Sequence, residues 1–271
     1  MDYRQVYQRN IGVFTHDEQD RLKAAKVAIA GVGGVGGIEA ATLARFGIGE
    51  LAIMDPGVFD EPDMNRQFGA MGSTLGRNKA LATADLLRDI NPFLKLTVLD
   101  TAPAEPGAIR DFMAGSHLVI DAIDYMGFDY KALWAQTARA LGLLNITAPI
   151  PGFATLMAIF DPAGLTLEKF YKAPADRTRW AEYRLPLDRI LGSERYGDII
   201  ARFLDGETPY LSTCAGAAAL NGGLVATEAA LIISGKRPRE RVVTAPSVTY
   251  VDMLTRTFEI YDSSEIISEA P

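Results

Sequence analysis

A glycine-rich segment behind an apolar run holds the first residues that could do chemistry. The letters "KVAIAGVGGVGG" run from Lys26 to Gly37. A glycine-rich turn between a strand and a helix lets backbone N–H groups approach phosphate oxygens at the positive end of the helix dipole. Asp55 ends the next apolar run, where an acidic side chain can accept hydrogen bonds from ribose hydroxyls. The spacing therefore predicts a nucleotide site.

Polar and charged side chains that follow Asp55 in the sequence help to distinguish a nucleoside triphosphate from a nicotinamide cofactor. The segments "MNRQFG" and "GRNKA" supply Asn65, Arg66, Gln67 and Lys79. A nucleotidyl transfer needs cations on the triphosphate and a metal ligand, whereas hydride transfer to a nicotinamide cofactor needs no such cluster. "VIDAID" places Asp121 and Asp124 at a strand end, where α/β sheets bind ligands. We expect Asp121 to cap the following turn, and Asp60 and Asp63 to shape a turn of their own.

The elements that must position these residues alternate between strand-like apolar runs and helical patterns. Strands are predicted at 26–31, 50–55, 95–100 and 117–124. Helices are predicted at 36–48, 76–92, around "GAIRDFMAG" and at 130–142. This alternation predicts an α/β fold with a doubly wound, mostly parallel, Rossmann-like sheet.

The second half of the chain has a different pattern. Residues 144–162 contain three prolines, two of them at 149 and 151, and are expected to form edge or antiparallel strands. Residues 163–212 are interpreted as an insertion or crossover, 215–238 as a small-residue helix, and 242–261 as a terminal antiparallel hairpin. We expect residues 1–271 to form a single domain.

Composition excludes several classes of function. The 271 residues carry a net charge of −7 and are 48% hydrophobic, which argues against a DNA-binding or anionic-membrane surface. The single cysteine, Cys214, excludes an internal disulfide and a four-cysteine zinc site. The amino terminus lacks the apolar core of a signal peptide, and we identified no run of about 18 apolar residues. We expect a cytoplasmic protein that has no membrane partner.

Seven ordered motifs carry a family resemblance. The order "YQRN", "AGVGGVGG", "MDP", "MNRQFG", "LGRNKA", "INP", "VIDAID" resembles the ThiF/MoeB/HesA superfamily, bacterial relatives of ubiquitin-activating enzymes. The resemblance covers about residues 3–125, and the helix starting at Cys214 is similar to a later core helix of that family. The resemblance implies an enzyme, an ATP-dependent adenylyltransferase that activates a carboxylate and releases pyrophosphate. It further implies Mg²⁺, a homodimer, and a ubiquitin-like or sulfur-carrier protein or a peptide as substrate.

The resemblance also assigns roles to residues. The glycines would line the nucleotide, Asp55 would bind its ribose, and Asn65 and Gln67 would add contacts to it. Arg66 and Lys79 would contact the phosphates, and Asp124 would hold Mg²⁺. Arg9 matches an arginine that reaches into the neighbouring subunit's site, or else belongs to an amphipathic lead-in helix. The four glycines are Gly31, Gly33, Gly34 and Gly36.

Three departures limit what the resemblance implies. The paired CxxC motifs of many relatives are absent, so no zinc is expected. Asp63 stands where "SNLNRQ" relatives have asparagine, which affects one nucleotide contact. Cys214 lies at the start of a helix and outside the crossover, so the reaction is expected to stop at the acyl-adenylate.

Two alternatives from other functional classes stay open at this point. An NAD-dependent oxidoreductase would use the glycine loop but leaves Arg66, Lys79 and Asp124 without a role. A catalytically silent family member would bind a ubiquitin-like partner, although the full set of cations and acids argues against it. A third activity within the family, dehydration of a modified tRNA base, is disfavoured by the pI of about 5.0.

Overall fold

The computed structural model describes residues 1–187 and 195–264. Within these residues, the strands form one sheet in the order β3-β2-β1-β4-β5-β6-β7-β8. Their bounds are β1 (Lys26–Ala30), β2 (Glu50–Met54), β3 (Lys95–Leu99), β4 (Leu118–Asp121), β5 (Leu144–Thr147), β6 (Ala154–Phe160), β7 (Ser247–Asp252) and β8 (Thr257–Asp262).

Helices connect most of the strands. They are α1 (Tyr3–Val6), α2 (His16–Ala24), α3 (Gly36–Phe46), α4 (Lys79–Ile90), α5 (Pro106–Met113), α6 (Phe128–Ala140), α7 (Leu167–Phe170), α8 (Gly197–Leu204) and α9 (Ala215–Ser234). Short 3₁₀ turns lie at Gln8–Asn10, Glu61–Asn65, Arg177–Glu182 and Arg239–Arg241.

The predicted fold class is confirmed by the pairing of the first five strands, β3-β2-β1-β4-β5, which are all parallel. Successive side chains of a strand point to opposite faces. On β1, Val27 and Ile29 accordingly pack in the core cluster that holds α3, α4 and α9. Ala28 and Ala30 pack with α5 and α6 on the other face. Helices therefore cover both faces of the sheet, as in a doubly wound fold.

One strand prediction is partly wrong. β6 is antiparallel to β5 as expected, but β5 is parallel to β4, and neither strand lies at an edge of the sheet. α6 crosses over between β4 and β5, which continues the parallel pattern by one more unit. Pro149 and Pro151 lie between β5 and β6, so their missing N–H groups interrupt neither ladder. The terminal hairpin of β7 and β8 is antiparallel as predicted.

The crossover, residues 163–212, runs from β6 to α9 and holds α7, a 3₁₀ turn and α8. Its aromatic residues form a second core with Phe128 of α6 and the inner side of β6 and β7. Trp180 packs edge-on against Phe128, with ring centroids 5.5 Å apart. The crossover is thus held by its own hydrophobic cluster.

Helix α9 packs closely against α3 because its residues are small. A Cβ atom added at Gly222 would lie 2.6 Å from Cγ1 of Ile38. The expectation of no long apolar run needs correction here, because α9 is long and apolar enough to cross a membrane by length and composition. Half of that window is buried inside the fold, and Asn221 donates hydrogen bonds to the Ala148 carbonyl and to Thr155. These contacts are those of a core helix.

Three ionisable side chains, Lys131, Asp121 and Glu39, are buried beneath the carboxyl end of β4. Lys131 of α6 donates to Asp121 Oδ1 at 2.7 Å and to the Ile123 carbonyl at 3.2 Å. Asp121 also accepts the Ile123 N–H, which confirms the predicted turn cap. Burial raises the pKa of Glu39 to about 8, and the nearby Asp121 charge adds to that shift. At neutral pH the cluster therefore holds one ion pair and one protonated acid.

We expect Glu39→Gln to change how stability depends on pH. The pKa of Glu39 in the folded state lies above its ordinary value, so the folded chain binds more protons than the unfolded chain at intermediate pH. Wild-type stability consequently falls as pH rises towards about 8, whereas glutamine mimics the protonated acid at every pH. Thermal unfolding followed by circular dichroism should show Tm of the variant rising relative to wild type between about pH 5 and about pH 8.

Glu61→Gln provides the control, because it removes the same charge from an exposed position. Its Tm should follow the wild-type pH dependence. Parallel curves for Glu39→Gln and wild type across this range would contradict the assignment of a protonated Glu39.

Candidate active site

The glycine loop joins β1 to α3 and is fixed by close backbone contacts. Gly31 has a φ of +89°, and a Cβ atom there would stand 2.5 Å from the Ala122 carbonyl oxygen. A Cβ at Gly36 would lie 1.9 Å from the Gly31 carbonyl oxygen. Asp55 at the end of β2 accepts the Val32 N–H at 2.9 Å. These contacts admit only glycine at positions 31 and 36.

A cavity of about 470 Å³ opens above this loop at the carboxyl ends of the parallel strands. It lies where the strand order reverses between β1 and β4, the usual binding position in open α/β sheets. Most of the residues predicted for the site line it: Gly31, Gly33, Gly34, Asp55, Arg66, Gln67, Lys79 and Asp124. The structure thus brings together residues that are far apart in the sequence.

Three predicted residues lie outside the cavity. Gly36 begins α3 and packs against Gly31. Asn65 is exposed, accepts from Arg66 at 2.9 Å and donates to the Thr213 carbonyl at 3.3 Å. Arg9 is exposed within the 3₁₀ turn Gln8–Asn10. Direct nucleotide contact by these three residues within one chain therefore has no support from the geometry.

Asp63 links the polar side chains below the loop. Its Oδ2 lies 3.0 Å from the Lys79 ammonium, and its Oδ1 accepts from the Gln67 amide. It also forms a capping box with Asp60, which confirms the predicted turn. Burial acts to raise the pKa of Asp63, but the hydrogen bond and charge of Lys79 outweigh it and hold the pKa below its usual value. Asp63 is therefore ionised at neutral pH.

Asp124 is the residue of the predicted set that could bind a metal. It is exposed at the cavity wall, and its Oδ1 accepts the Tyr125 N–H at 2.6 Å. Among residues 1–187 and 195–264, no group of three or more His, Cys, Asp or Glu side chains could hold a metal. Mg²⁺ commonly uses one or two carboxylates together with substrate phosphates and water. The single carboxylate fits an ion shared with a nucleotide.

The other half of the cavity is apolar, and the sequence did not identify its residues. Its walls come from the β4–α6 and β5–β6 connections and the crossover: Tyr125, Ile150, Tyr171, Leu185, Phe203 and Leu211. Among the described residues that line the cavity, most of the charged side chains lie on the side of the glycine loop and β4, and Lys131 of α6 reaches between the ends of β4 and β5. The charged residues are Asp55, Arg66, Lys79, Asp121, Asp124 and Lys131. The site thus combines a polar compartment for an anionic ligand with an apolar compartment for a second group.

Lys131 is the functional candidate that sequence reasoning overlooked. It lines the cavity and is 3% exposed. A lysine among Phe128, Ala132 and Ala135 on the buried face of α6 was the available signal. A cation on an apolar helical face requires a buried partner, and Asp121 supplies it.

Comparisons with known proteins agree with this geometry. The family model described as ThiF family matches residues 7–265. The tRNA threonylcarbamoyladenosine dehydratase of Haemophilus influenzae is 33% identical over 112 residues, which are 41% of this chain and 43% of that protein. Molybdopterin-synthase adenylyltransferase of Salmonella typhimurium is 31% identical over 111 residues, 41% of this chain and 44% of that protein. The match covers less than half the length of either relative.

A solved structure shares the fold. E. coli MccB, solved with ATP, matches with a TM-score of 0.72 at 15% identity, covering 95% of this chain and 70% of that one. The comparisons give no support to the NAD-dependent oxidoreductase alternative. Because the family match extends over nearly all of its 271 residues, the chain belongs to the ThiF family.

Proposed function

We propose that this chain is an ATP-dependent adenylyltransferase that activates a carboxylate as an acyl-adenylate and releases pyrophosphate. The observation that carries the proposal is the convergence of Arg66, Lys79 and the glycine loop at one end of a cavity whose wall holds Asp124. A relative named as an adenylyltransferase supports the same reaction class. The proposal treats residues 1–271 as a single adenylation domain.

The glycine loop and Asp55 are suited to the nucleoside and phosphates. Gly33 and Gly34 face the cavity, where their backbone can approach phosphate oxygens. Each Asp55 oxygen accepts one backbone N–H, from Val32 or Gly57, and retains a lone pair for a ribose hydroxyl. In this proposal, Gly36 lets the start of α3 lie close against the glycine loop. Asn65 accepts a hydrogen bond from Arg66 and so holds that side chain in place.

The reaction joins the substrate carboxylate to the α-phosphorus. A carboxylate oxygen forms the new P–O bond, and the bond to the bridging oxygen of pyrophosphate breaks with its electron pair. Negative charge then grows on the phosphoryl oxygens and on the leaving pyrophosphate. Arg66 and Lys79, already ordered at the cavity wall, would stabilise that charge.

Mg²⁺ is the metal that we propose, with Asp124 as its ligand from the protein. When bound, the ion would draw charge from the phosphate oxygens. No zinc is proposed. We assign no covalent step to Cys214, which is half-buried at the start of α9 with its Sγ 3.5 Å from the Gly152 carbonyl.

The substrate that we propose is a carboxylate of a ubiquitin-like or sulfur-carrier protein or of a peptide. The apolar half of the cavity, built largely by the crossover, is the place where its acyl group would lie. We propose a cytoplasmic protein, and its net charge of −7 argues against binding to DNA or to an anionic membrane.

ATP–pyrophosphate exchange tests this function directly. We expect exchange that requires Mg²⁺ and one of a panel of carboxylates: sulfur-carrier proteins, peptides and free amino acids. Arg66→Ala and Lys79→Ala should each slow exchange by about 10²-fold or more with the fold intact, because preorganised charge acts on this scale.

Arg77→Ala is the matched control for the cation variants. Arg77 lies two residues from Lys79 but pairs with Asp85 on the exposed face of α4. Its removal should leave the exchange rate near wild type. Unchanged exchange in both Arg66→Ala and Lys79→Ala would refute the phosphate role, and exchange driven by tRNA in place of these carboxylates would refute the substrate class.

We further propose a homodimer in which Arg9 of one subunit completes the site of the other. Arg9 is exposed and lies outside the cavity of its own chain, which supports a role across an interface. An Arg9→Ala chain and an Asp124→Ala chain should each be inactive alone. A mixed dimer would contain one intact site, so coexpression should restore at most about half of the activity per dimer.

Arg4→Ala controls for loss of a nearby surface cation, because Arg4 pairs with Asp20 on the same exposed surface. This variant should remain active without complementation. A monomer in solution, or purified mixed dimers without activity, would rule out the contribution of Arg9 to a neighbouring site.

A further inference from the structure

Asp63 is a buried carboxylate that the proposed chemistry does not yet use. It lies in the 3₁₀ turn Glu61–Asn65, is 7% exposed, and is not among the residues that line the cavity. Three residues that do line the cavity approach it: Arg66, Gln67 and Lys79. A single carboxylate thus connects the side chains expected at the phosphates.

The contacts divide between its two oxygens. Oδ2 accepts from the Lys79 ammonium at 3.0 Å and from the Asp60 N–H at 3.3 Å. Oδ1 accepts from the Gln67 amide and lies 4.0 Å from the Arg66 guanidinium. The capping box with Asp60 fixes the turn that carries Asp63. The carboxylate is therefore both bound and rigidly placed.

The side chains that Asp63 contacts are also those that lie along the glycine loop. A Cβ atom at Gly33 would lie 3.3 Å from Oε1 of Gln67, and one at Gly34 would lie 3.4 Å from Nε of Arg66. These distances leave little room between the loop and the two side chains. The position of Asp63 therefore affects the polar wall facing the phosphates.

Lys79 depends on this contact most. Lysine has a flexible four-carbon stem, and its compact charge takes a position only where a partner holds it. Here Asp63 pairs with the ammonium, which also lies 5.6 Å from the centre of the Phe59 ring. An ammonium has three donor protons, so one can stay on Asp63 while others point into the cavity.

We propose that Asp63 is a positioning residue for the adenylation site, which holds Lys79 and Gln67 in place before the nucleotide binds. The inference rests on the proposed function and goes beyond it, because it assigns the ordering of the phosphate wall to a residue outside the cavity. Asparagine has nearly the same shape but lacks the charge that anchors Lys79. We therefore expect the charge of Asp63 to matter more for the rate of adenylation than for the stability of the fold.

The test compares Asp63→Asn, Lys79→Met and the double variant. We expect Asp63→Asn to lower kcat of ATP–pyrophosphate exchange by about 10- to 100-fold, the scale for misplaced catalytic groups, with a much smaller change in the KM for ATP. In the Lys79→Met background the same change should have less than about a twofold effect, because asparagine keeps an oxygen that accepts from Gln67 and the lost charge acts through Lys79. Glu61→Gln, which removes an exposed charge from the same turn, should leave kcat unchanged.

A second readout is independent of turnover. The side-chain ¹H–¹⁵N NMR signal of the Lys79 ammonium should be seen in the wild type and lost in Asp63→Asn, because an unpaired ammonium exchanges its protons faster with water. Should Asp63→Asn not fold, Asp63→Glu keeps the charge, displaces it by one methylene group, and should also lower kcat.

Three results would overturn the inference: an unchanged kcat in folded Asp63→Asn, an additive effect in the double variant, or an unchanged Lys79 signal. If the wild type shows no ATP–pyrophosphate exchange but the Lys79 signal is still lost in Asp63→Asn, the proposed function is refuted. The hold of Asp63 on Lys79 would be established in that case.

Discussion

The close approach of the glycine loop to the end of β4 is the contact on which the rest of the site depends. Gly31 can adopt its left-handed conformation beside the Ala122 carbonyl only because it has no side chain. The same approach lets α3 begin directly against the loop at Gly36. Asp55 then ties the loop to β2 through the Val32 N–H. The floor of the cavity is thus built from backbone, and side chains can be placed around it.

The change in strand direction after β5 gives the cavity its second half. Parallel strands bring the glycine loop, Asp55 and Asp124 to one edge of the sheet. The reversal at β6 leads the chain into the crossover, whose aromatic core rests on the β6–β7 face and supplies apolar walls such as Tyr171 and Leu211. Charge gathers on one side of the cavity and apolar surface on the other. The proposed transfer from a nucleotide to an acyl group in the apolar half is consistent with this division.

The parallel half of the fold was predictable from the sequence because each strand and helix there has its own periodicity and its own boundary. The direction of β5 was not, since Pro149 and Pro151 suggested an edge although they lie in a turn. Most of the polar site residues were found because they occur in short motifs. Asp63 was predicted as a turn residue and as a departure that affects one nucleotide contact, but its ion pair with Lys79 was not predicted because the two residues are 16 positions apart. The apolar walls were missed because they come from side chains that meet across the crossover.

The central claim is that the glycine loop, Arg66 and Lys79 form a site for a triphosphate. Isothermal titration calorimetry of the purified chain with ATP and with NAD, each with Mg²⁺, tests it most directly. We expect one ATP bound per chain, weaker binding in Lys79→Ala, and no heat of binding from NAD. Binding of NAD without binding of ATP, or ATP binding that is unaffected in both Arg66→Ala and Lys79→Ala, would contradict it.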